Sequence, residues 1–388
     1  MGVILNRLAA MAGFEKRNEA TDPSWAAIAP GIGYPGALSA HAAESLSAVY
    51  ACSNVIASSL ASIPALVYRV ENGSRIEALT HPLRRISRAG VNEHMGWPDF
   101  IEHLIVSMLL TGNGLAEITR NERGQLTGFR FIPWGMVTVQ YLTSGRLRYD
   151  VTDGRGGMRQ LLQGEVLHLR DRTDDGLIGR SRLSRAADTV SGVATANVFA
   201  RSFLERGAAP SGAIEIPGTT TREVRDKLRE QMRDRHSGAA NAGSTLVLDG
   251  GMKWSKISLS PEDAELLETR KFGVEEICRL FQTPPPLVQD YSHNTFTNSE
   301  TAGRWFAMFT LGPIARKIEA EFARSVFGSA AGFELELDLS GFLRGDPQTR
   351  WANHKIAIDA NILDVDEVRQ IEGWNPRPAQ KEAIGNAG

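Results

Sequence analysis

The stretch from Ser260 to Glu300 constrains the chain most, because it joins two strong helical patterns through a proline stop and a polar segment. Ser260 suits an N-cap, since its hydroxyl can accept an otherwise unpaired backbone N–H. Pro261 fits the first helical position, where no N–H is needed, and Glu262 and Asp263 complement the positive helix end. Leu266, Leu267, Phe272, Val274, Ile277, Cys278, Leu280 and Phe281 give an apolar face at helical spacing. Thr283-Pro284-Pro285-Pro286 must end that helix, because proline lacks the donor and disfavours helical geometry in the residue before it. Gln289 to Asn298 offers little to bury, and Thr297-Asn298-Ser299-Glu300 is a capping-box pattern. The next helix is expected over Ser299–Phe327, kinked at Gly312-Pro313. A polar loop slung between two firm helices is where docking or passage is expected.

A second long helix is predicted upstream, from Arg182 to Arg206, with Gly207 as its C-cap. At 1.5 Å per residue each of the two would reach roughly 30–40 Å, which suits a shaft better than a compact pocket. Between them, residues 208–259 read as a small α/β insert. Its strands are expected at Ser211–Pro217, Thr245–Leu248 and Lys253–Ser258, the last two joined across Asp249-Gly250-Gly251. Its helix opens at the capping box Thr220–Glu223 and runs to about His236, carrying Arg222, Arg225, Arg229 and Arg233 among acidic residues. Such mixed charge is first a solvated face and second a surface for a partner.

Before the long helices come a helix at Ala43–Ser62, a strand at Ala65–Val70 with a turn at Asn72-Gly73, and a helix from Trp97 closed by Thr111–Gly114. From Leu115 to Arg170 the period changes to two, the pattern of a small antiparallel barrel or sheet. His168 reads as a strand-face residue, since no cysteine or second histidine lies at metal-ligand spacing. After the last long helix, Phe333–Leu339 alternates as an edge strand with an acidic face toward solvent. Two short helices, near Gln348–Ala360 and Asp364–Glu372, precede a Pro/Gly/Ala tail.

The totals exclude several function classes. A length of 388 residues favours two or three subdomains. The net charge of -2 gives no bulk electrostatic reason to hold nucleic acid tightly, so any DNA contact is local or transient. The two cysteines, Cys52 and Cys278, sit in apolar helical patterns and read as free buried thiols, fitting a reducing cytoplasm. No run of about twenty apolar residues suggests a membrane partner. GIGYPG in residues 31–36 matches a dinucleotide-binding spacing, but Pro30 and Pro35 spoil the strand–turn–helix context it requires. Asp171, Asp174 and Asp175 read as a solvated loop rather than a metal cluster. No catalytic residue, cofactor or metal is expected.

The order of parts, and several stretches as they stand, resemble the portal proteins of tailed bacteriophages and related gene-transfer particles. These stretches are AVYACSNVIASSLASIPALVYR, LLTGNGLAEI, GRSRLSRAADTV, GGMKWSKISLSPEDAELLETRKFGVEEICRLFQTPPPLV, FLRGDPQTRW and DEVRQIEGWNP. The resemblance implies an α+β portal fold. Residues 1–40 would be a flexible arm, and 41–181 a wing of helices and a small β barrel. Residues 182–207 and 260–283 would form a two-helix stem, with 208–259 the clip between them. Residues 284–298 would be a tunnel loop, 299–327 a kinked wing helix, and 328–388 a short helical crown and tail. It further implies a homo-oligomeric ring of about twelve copies at one capsid vertex of a virion or virion-like particle assembled in the bacterial cytoplasm. Partners would be double-stranded DNA in the channel, the terminase large subunit, a head–tail adaptor and the major capsid protein. The tunnel residues would be Gln289, Tyr291, Ser292, His293, Asn294, Thr295 and Asn298, mostly uncharged and able to let DNA slide. Glu265, Glu268, Glu275 and Glu276 would repel phosphates if they face the channel, and Arg222, Arg225, Arg229 and Arg233 would dock partners at the clip. The rival reading is a monomeric nucleic-acid-binding module using the helix at 222–235.

Overall fold

The computed structural model describes residues 38–71, 73–154, 156–205, 212–215, 221–223, 226–227, 253–256, 261–291, 296–328, 332–343, 347–372, 374–375 and 377. They form two compact units, one ending at Leu337 and one from Asp338 onward.

The first unit begins with α1 (Ala40–Glu44), capped by the Ser39 hydroxyl on the Ala42 N–H at 3.2 Å, and α2 (Ser47–Ala61). Pro64 then releases the chain into β1 (Ala65–Glu71) and β2 (Ser74–Glu77), joined through Gly73 at φ 82°. A helix that the periodicity did not suggest, α3 (Pro82–Ala89), follows, with Pro82 at its start and the His81 ring accepting the Leu83 N–H. Next, α4 (Trp97–Thr111) packs on α2 and stops at Gly112, whose φ of 89° a side chain would strain.

The change of period after Leu115 yields six strands: β3 (Asn113–Arg120), β4 (Leu126–Ile132), β5 (Val137–Tyr141), β6 (Leu147–Thr152), β7 (Met158–Leu162) and β8 (Val166–Arg170). They form two antiparallel three-stranded sheets, ordered β4-β3-β8 and β5-β6-β7, rather than one continuous ladder. Leu115, Ile132, Val137, Val139, Tyr149, Val151 and Val166 share one core between them. Their alternation along each strand is the physical reason both sheets turn one face inward. Gly114 lets β3 lie against α4, since a Cβ there would sit 2.3 Å from the Leu104 carbonyl oxygen.

The predicted long helix breaks at Ala186 (φ -116°, ψ 40°) into α5 (Arg182–Arg185) and α6 (Ala187–Glu205). In the insert, β9 (Gly212–Glu215) pairs antiparallel with β10 (Lys253–Lys256). The expected strand at 245–248 and most of the expected helix lie outside the described residues. The helix expected after Ser260 forms as α7 (Pro261–Phe281).

The following helix starts at Phe296, three residues before Ser299, and runs as α8 (Phe296–Trp305), a π-helical segment (Phe306–Leu311), α9 (Gly312–Phe322) and a second π-helical segment (Ala323–Phe327). The widened turn answers Pro313 locally: the Gly312 N–H reaches the Ala307 carbonyl, five residues back. The last strand, β11 (Phe333–Leu337), pairs antiparallel with β1 and completes the sheet β11-β1-β2. Its acidic face is not simply solvated. Arg75 on β2 reaches across Tyr68 to Glu334 at 3.3 Å and Glu336 at 2.5 Å.

The second unit holds α10 (Ser340–Leu343), α11 (Pro347–Asp359) and α12 (Val365–Ile371). Glu372 forms an ion pair with Arg350 at 3.0 Å and a hydrogen bond with the His354 ring at 2.9 Å, and Trp351 meets Trp374 at 5.7 Å.

His168 is a core group of the β domain. The Tyr149 hydroxyl donates to its Nδ1 at 2.9 Å, and its Nε2–H donates to Asn113 Oδ1 at 3.0 Å, while Trp134 stacks on the ring. Burial, aided by Arg170 and Arg324, holds its pKa well below the ordinary range, so the folded ring is neutral. Unfolding frees the ring to bind a proton below its ordinary value of 6.5, so the unfolded state then carries more protons. The stability this neutral ring contributes is complete above that value and is lost progressively as pH falls from it toward the depressed folded value. Thermal unfolding of His168→Phe should therefore show a shallower loss of stability between about pH 7 and 5 than the parent chain. The variant should also be less stable at neutral pH, because Asn113 and Tyr149 lose their partner.

Candidate functional site

The opening stretch proves to be a hub. At its C-terminal end α7 buries Ile277, Cys278 and Phe281 against α2, and Gln282 adopts φ 58° to turn the chain out. Thr283 N–H returns to the Cys278 carbonyl at 2.9 Å, so one last helical carbonyl is satisfied before the prolines. Pro285–Val288 then make a single 3₁₀ turn, closed by Leu287 N–H on Pro284 O at 3.0 Å and Asp290 N–H on Pro285 O at 3.1 Å. Gln289, at φ 64°, and Tyr291 are exposed beyond it.

What holds this end in place is a group the sequence reading assigned to a solvated loop. Asp171, at the end of β8, is buried. Its carboxylate accepts from Arg182 Nε at 2.7 Å and lies 3.7 Å from Lys317 Nζ. The same Arg182 donates from Nη1 to the Phe281 carbonyl at 3.2 Å. A cation on the last carbonyls of α7 is favoured by the helix dipole, and its own charge is matched by Asp171. Four elements, β8, α5, α7 and α9, therefore meet at one ion pair. The other acids of that loop are engaged as well. Asp174 is held below the usual carboxylate range by Arg185 and Arg180, and Asp175 accepts the N–H groups of Leu177 and Ile178 at 2.8 and 3.0 Å. Among the described residues no cluster of His, Cys, Asp or Glu could hold a metal ion.

Farther along, α6 and α7 run against each other, with Gly273 so near Val193 that a Cβ would lie 3.1 Å from its Cγ2. A groove of about 720 Å³ follows their junction, lined by Leu46, Asp188, Gly192, Val193, Phe272 and Glu276. Large apolar side chains on these helices are exposed, Phe199 by 57% and Phe272, which also meets the Arg279 guanidinium, by 52%, and Trp305 and Phe309 are similarly exposed at the π-helical segment.

The sequence-predicted site residues distribute as follows. Glu268 is exposed and pairs with Lys271 at 3.1 Å, Glu275 pairs with Arg279 at 2.9 Å, and Glu276 enters the groove. Glu265 lies on α7 with its side chain outside the described residues, as does that of Asn298 on α8. Ser292, His293, Asn294 and Thr295 also fall outside them. In the insert Arg222 is exposed, 3.9 Å from Asp226, while Arg225, Arg229 and Arg233 lie outside the described residues. Sequence reasoning missed the Asp171–Arg182 pair; the signal available was the density of arginine around RDRTDDG, which a lone acidic loop would not need.

The architecture is α+β, with helices α6 and α7 packed together and a proline-rich turn following α7. The phage portal protein family matches residues 47–373, and the chain belongs to that family. A probable portal protein of Streptomyces phage phiC31 is 30% identical over 375 residues, covering 92% of this chain and 82% of that protein. A chain from the virion of a native gene transfer agent particle superposes with a TM-score of 0.61 at 25% identity, over 96% of this chain and 99% of that one. A chain from the neck of a native gene transfer agent particle, computed with C12 symmetry, gives 0.60 at 23% identity, over 96% and 99%. The fold is thus the portal fold, and the chain is a portal protein of a phage-like particle.

The hub makes a direct prediction. Asp171→Asn removes the charge that matches Arg182 and should destabilise the chain by about 2–4 kcal/mol, because a half-buried guanidinium is left uncompensated. Urea unfolding measures it, and Arg182→Met paired with Asp171→Leu should recover part of the loss.

Proposed function

We propose that twelve or so copies of this chain assemble into a ring at one vertex of a phage-like particle and form the channel through which double-stranded DNA enters and leaves. In this reading residues 41–181 and 299–327 are the wing, 182–207 and 260–283 the stem, 208–259 the clip, 284–298 the tunnel loop and 328–388 a short crown. The clip docks the terminase large subunit during packaging and a head–tail adaptor afterwards, and the wing meets the major capsid protein. The chain acts as a conduit and not as an enzyme, and the particle assembles in the bacterial cytoplasm.

The observation that carries the reading is the pair of packed helices α6 and α7 with apolar side chains left open on them, in a chain whose family match spans residues 47–373. A closed ring needs two different faces on each copy, one for each neighbour. Open aromatics on α6 and α7 on one hand, and at Trp305 and Phe309 on the other, give each copy apolar surface for such contacts. The C12 symmetry of the similar neck supports a count near twelve. Exposed Gln289 and Tyr291 offer contacts without fixed positive charge, which suits DNA that must slide rather than bind. The rival reading, a monomer gripping DNA through residues 222–235, gains little from Arg222, which has Asp226 beside it, or from a net charge of -2.

Negative-stain microscopy of the purified chain should show annuli with a central hole, and only compact monomers at high concentration would sink the assembly. In assembled particles, Glu265→Lys with Glu268→Lys should slow or block DNA packaging without preventing ring formation. Packaging at the normal rate would remove those carboxylates from the channel wall.

A further inference from the structure

Both cysteines of the chain are buried, yet they come from opposite ends of the first unit, Cys52 in the middle of α2 and Cys278 near the end of α7. Their sulfurs lie 3.9 Å apart. Two thiols separated by 226 positions in sequence meet here at the packing of α2 on α7. A side-chain rotation and a small approach of the helices would bring them to the roughly 2.05 Å of a disulfide.

The surroundings are asymmetric. Cys52 is sealed by α2 and its neighbours, with no exposed surface. Cys278 instead forms part of the wall of a cleft of about 310 Å³, together with Thr283, Thr310 and the exposed Trp305 and Phe309. Of the two cysteines, Cys278 lines that cleft and Cys52 does not. The electrostatics run the same way. Its hydrogen bond to Cys278, with burial, pushes the Cys52 thiol up, while that same bond holds the Cys278 thiol down. Ordinary buried cysteines are inert, and a thiol becomes reactive where thiolate character and access coincide.

We propose that Cys278 and Cys52 are an attacking and resolving pair that closes to an intramolecular disulfide when the protein meets a small peroxide. The Cys278 sulfur attacks one peroxide oxygen: an S–O bond forms, the O–O bond breaks, and water leaves, giving a sulfenic acid. The Cys52 sulfur then attacks the Cys278 sulfur: the S–S bond forms, the S–O bond breaks, and its oxygen leaves as a second water with the Cys52 proton. Two thiols are oxidised by two electrons and one peroxide is reduced to two waters. The product ties the end of α7, from which residues 284–298 depart, covalently to α2.

Purified full-length protein treated with hydrogen peroxide, then alkylated under denaturing conditions, tests this. The expected result is an intact mass lower by two hydrogens, a Cys52–Cys278 crosslink in the peptide map, and loss of both alkylation sites, all reversed by dithiothreitol. The midpoint of thermal unfolding should rise by several degrees on oxidation, since the crosslink closes a long loop in the unfolded chain. In Cys52→Ser the reaction should stop at Cys278 as a sulfenic acid that dimedone captures, and in Cys278→Ser neither product should form. Two free thiols after native peroxide treatment would overturn the proposal, as would a crosslink that appears only in urea.

Discussion

The Asp171–Arg182 ion pair, with its donation to the last carbonyl of α7, is the constraint on which the arrangement of long helices depends. A helix end points a set of unsatisfied carbonyls in a fixed direction, and something must meet them. In this chain the partner is a guanidinium whose own charge is balanced by a buried carboxylate from the β domain. Remove that balance and the start of α5, the end of α7 and the last strand of the β4-β3-β8 sheet lose their common reference point. The glycines nearby serve the same junction. A Cβ on Gly179 would fall 1.9 Å from the Gly112 carbonyl oxygen, so the loop between β8 and α5 can lie on the end of α4 only without a side chain there.

Much of the first unit was legible because its signals are local. Proline and glycine punctuation set where α2, α4 and α7 stop within a residue or two, although the helix expected from Ala43 is divided at Ser45-Leu46 into α1 and α2, and the switch from helical to alternating periodicity announced the strands after Leu115. The turn at Pro284–Val288 could be read from three consecutive prolines. What could not be read depends on partners distant in sequence. Nothing in FELEL says that its glutamates meet Arg75 across an intervening strand, or that Asp171 sits under Arg182. Charged residues look solvated in a sequence until the opposite charge is placed beside them. Where a kink was expected at Gly312-Pro313, the helix carries a π-helical turn, with the Gly312 N–H on the Ala307 carbonyl just before the residue that lacks a donor. The start of α8 at Phe296 shows the limit of capping patterns, which mark an available cap and not a compulsory one.

The candidate site was legible in its frame and not in its detail. The paired helices and the exposed turn follow from periodicity and proline. Which carboxylates stand free on α7 does not, because Glu275 has Arg279 one turn away and Glu276 turns into the groove beside α6.

The pairing of β1 with β11 has a consequence for biosynthesis. Ala65 lies opposite Leu337, so a strand made early must wait, unpaired on one edge, until the ribosome has delivered nearly the whole of the first unit. Closing so large a loop costs entropy that only the finished core repays. A truncated nascent chain therefore carries an open sheet edge, and it cannot present a completed first unit to other copies. The first unit therefore reaches its finished conformation only once β11 has been made.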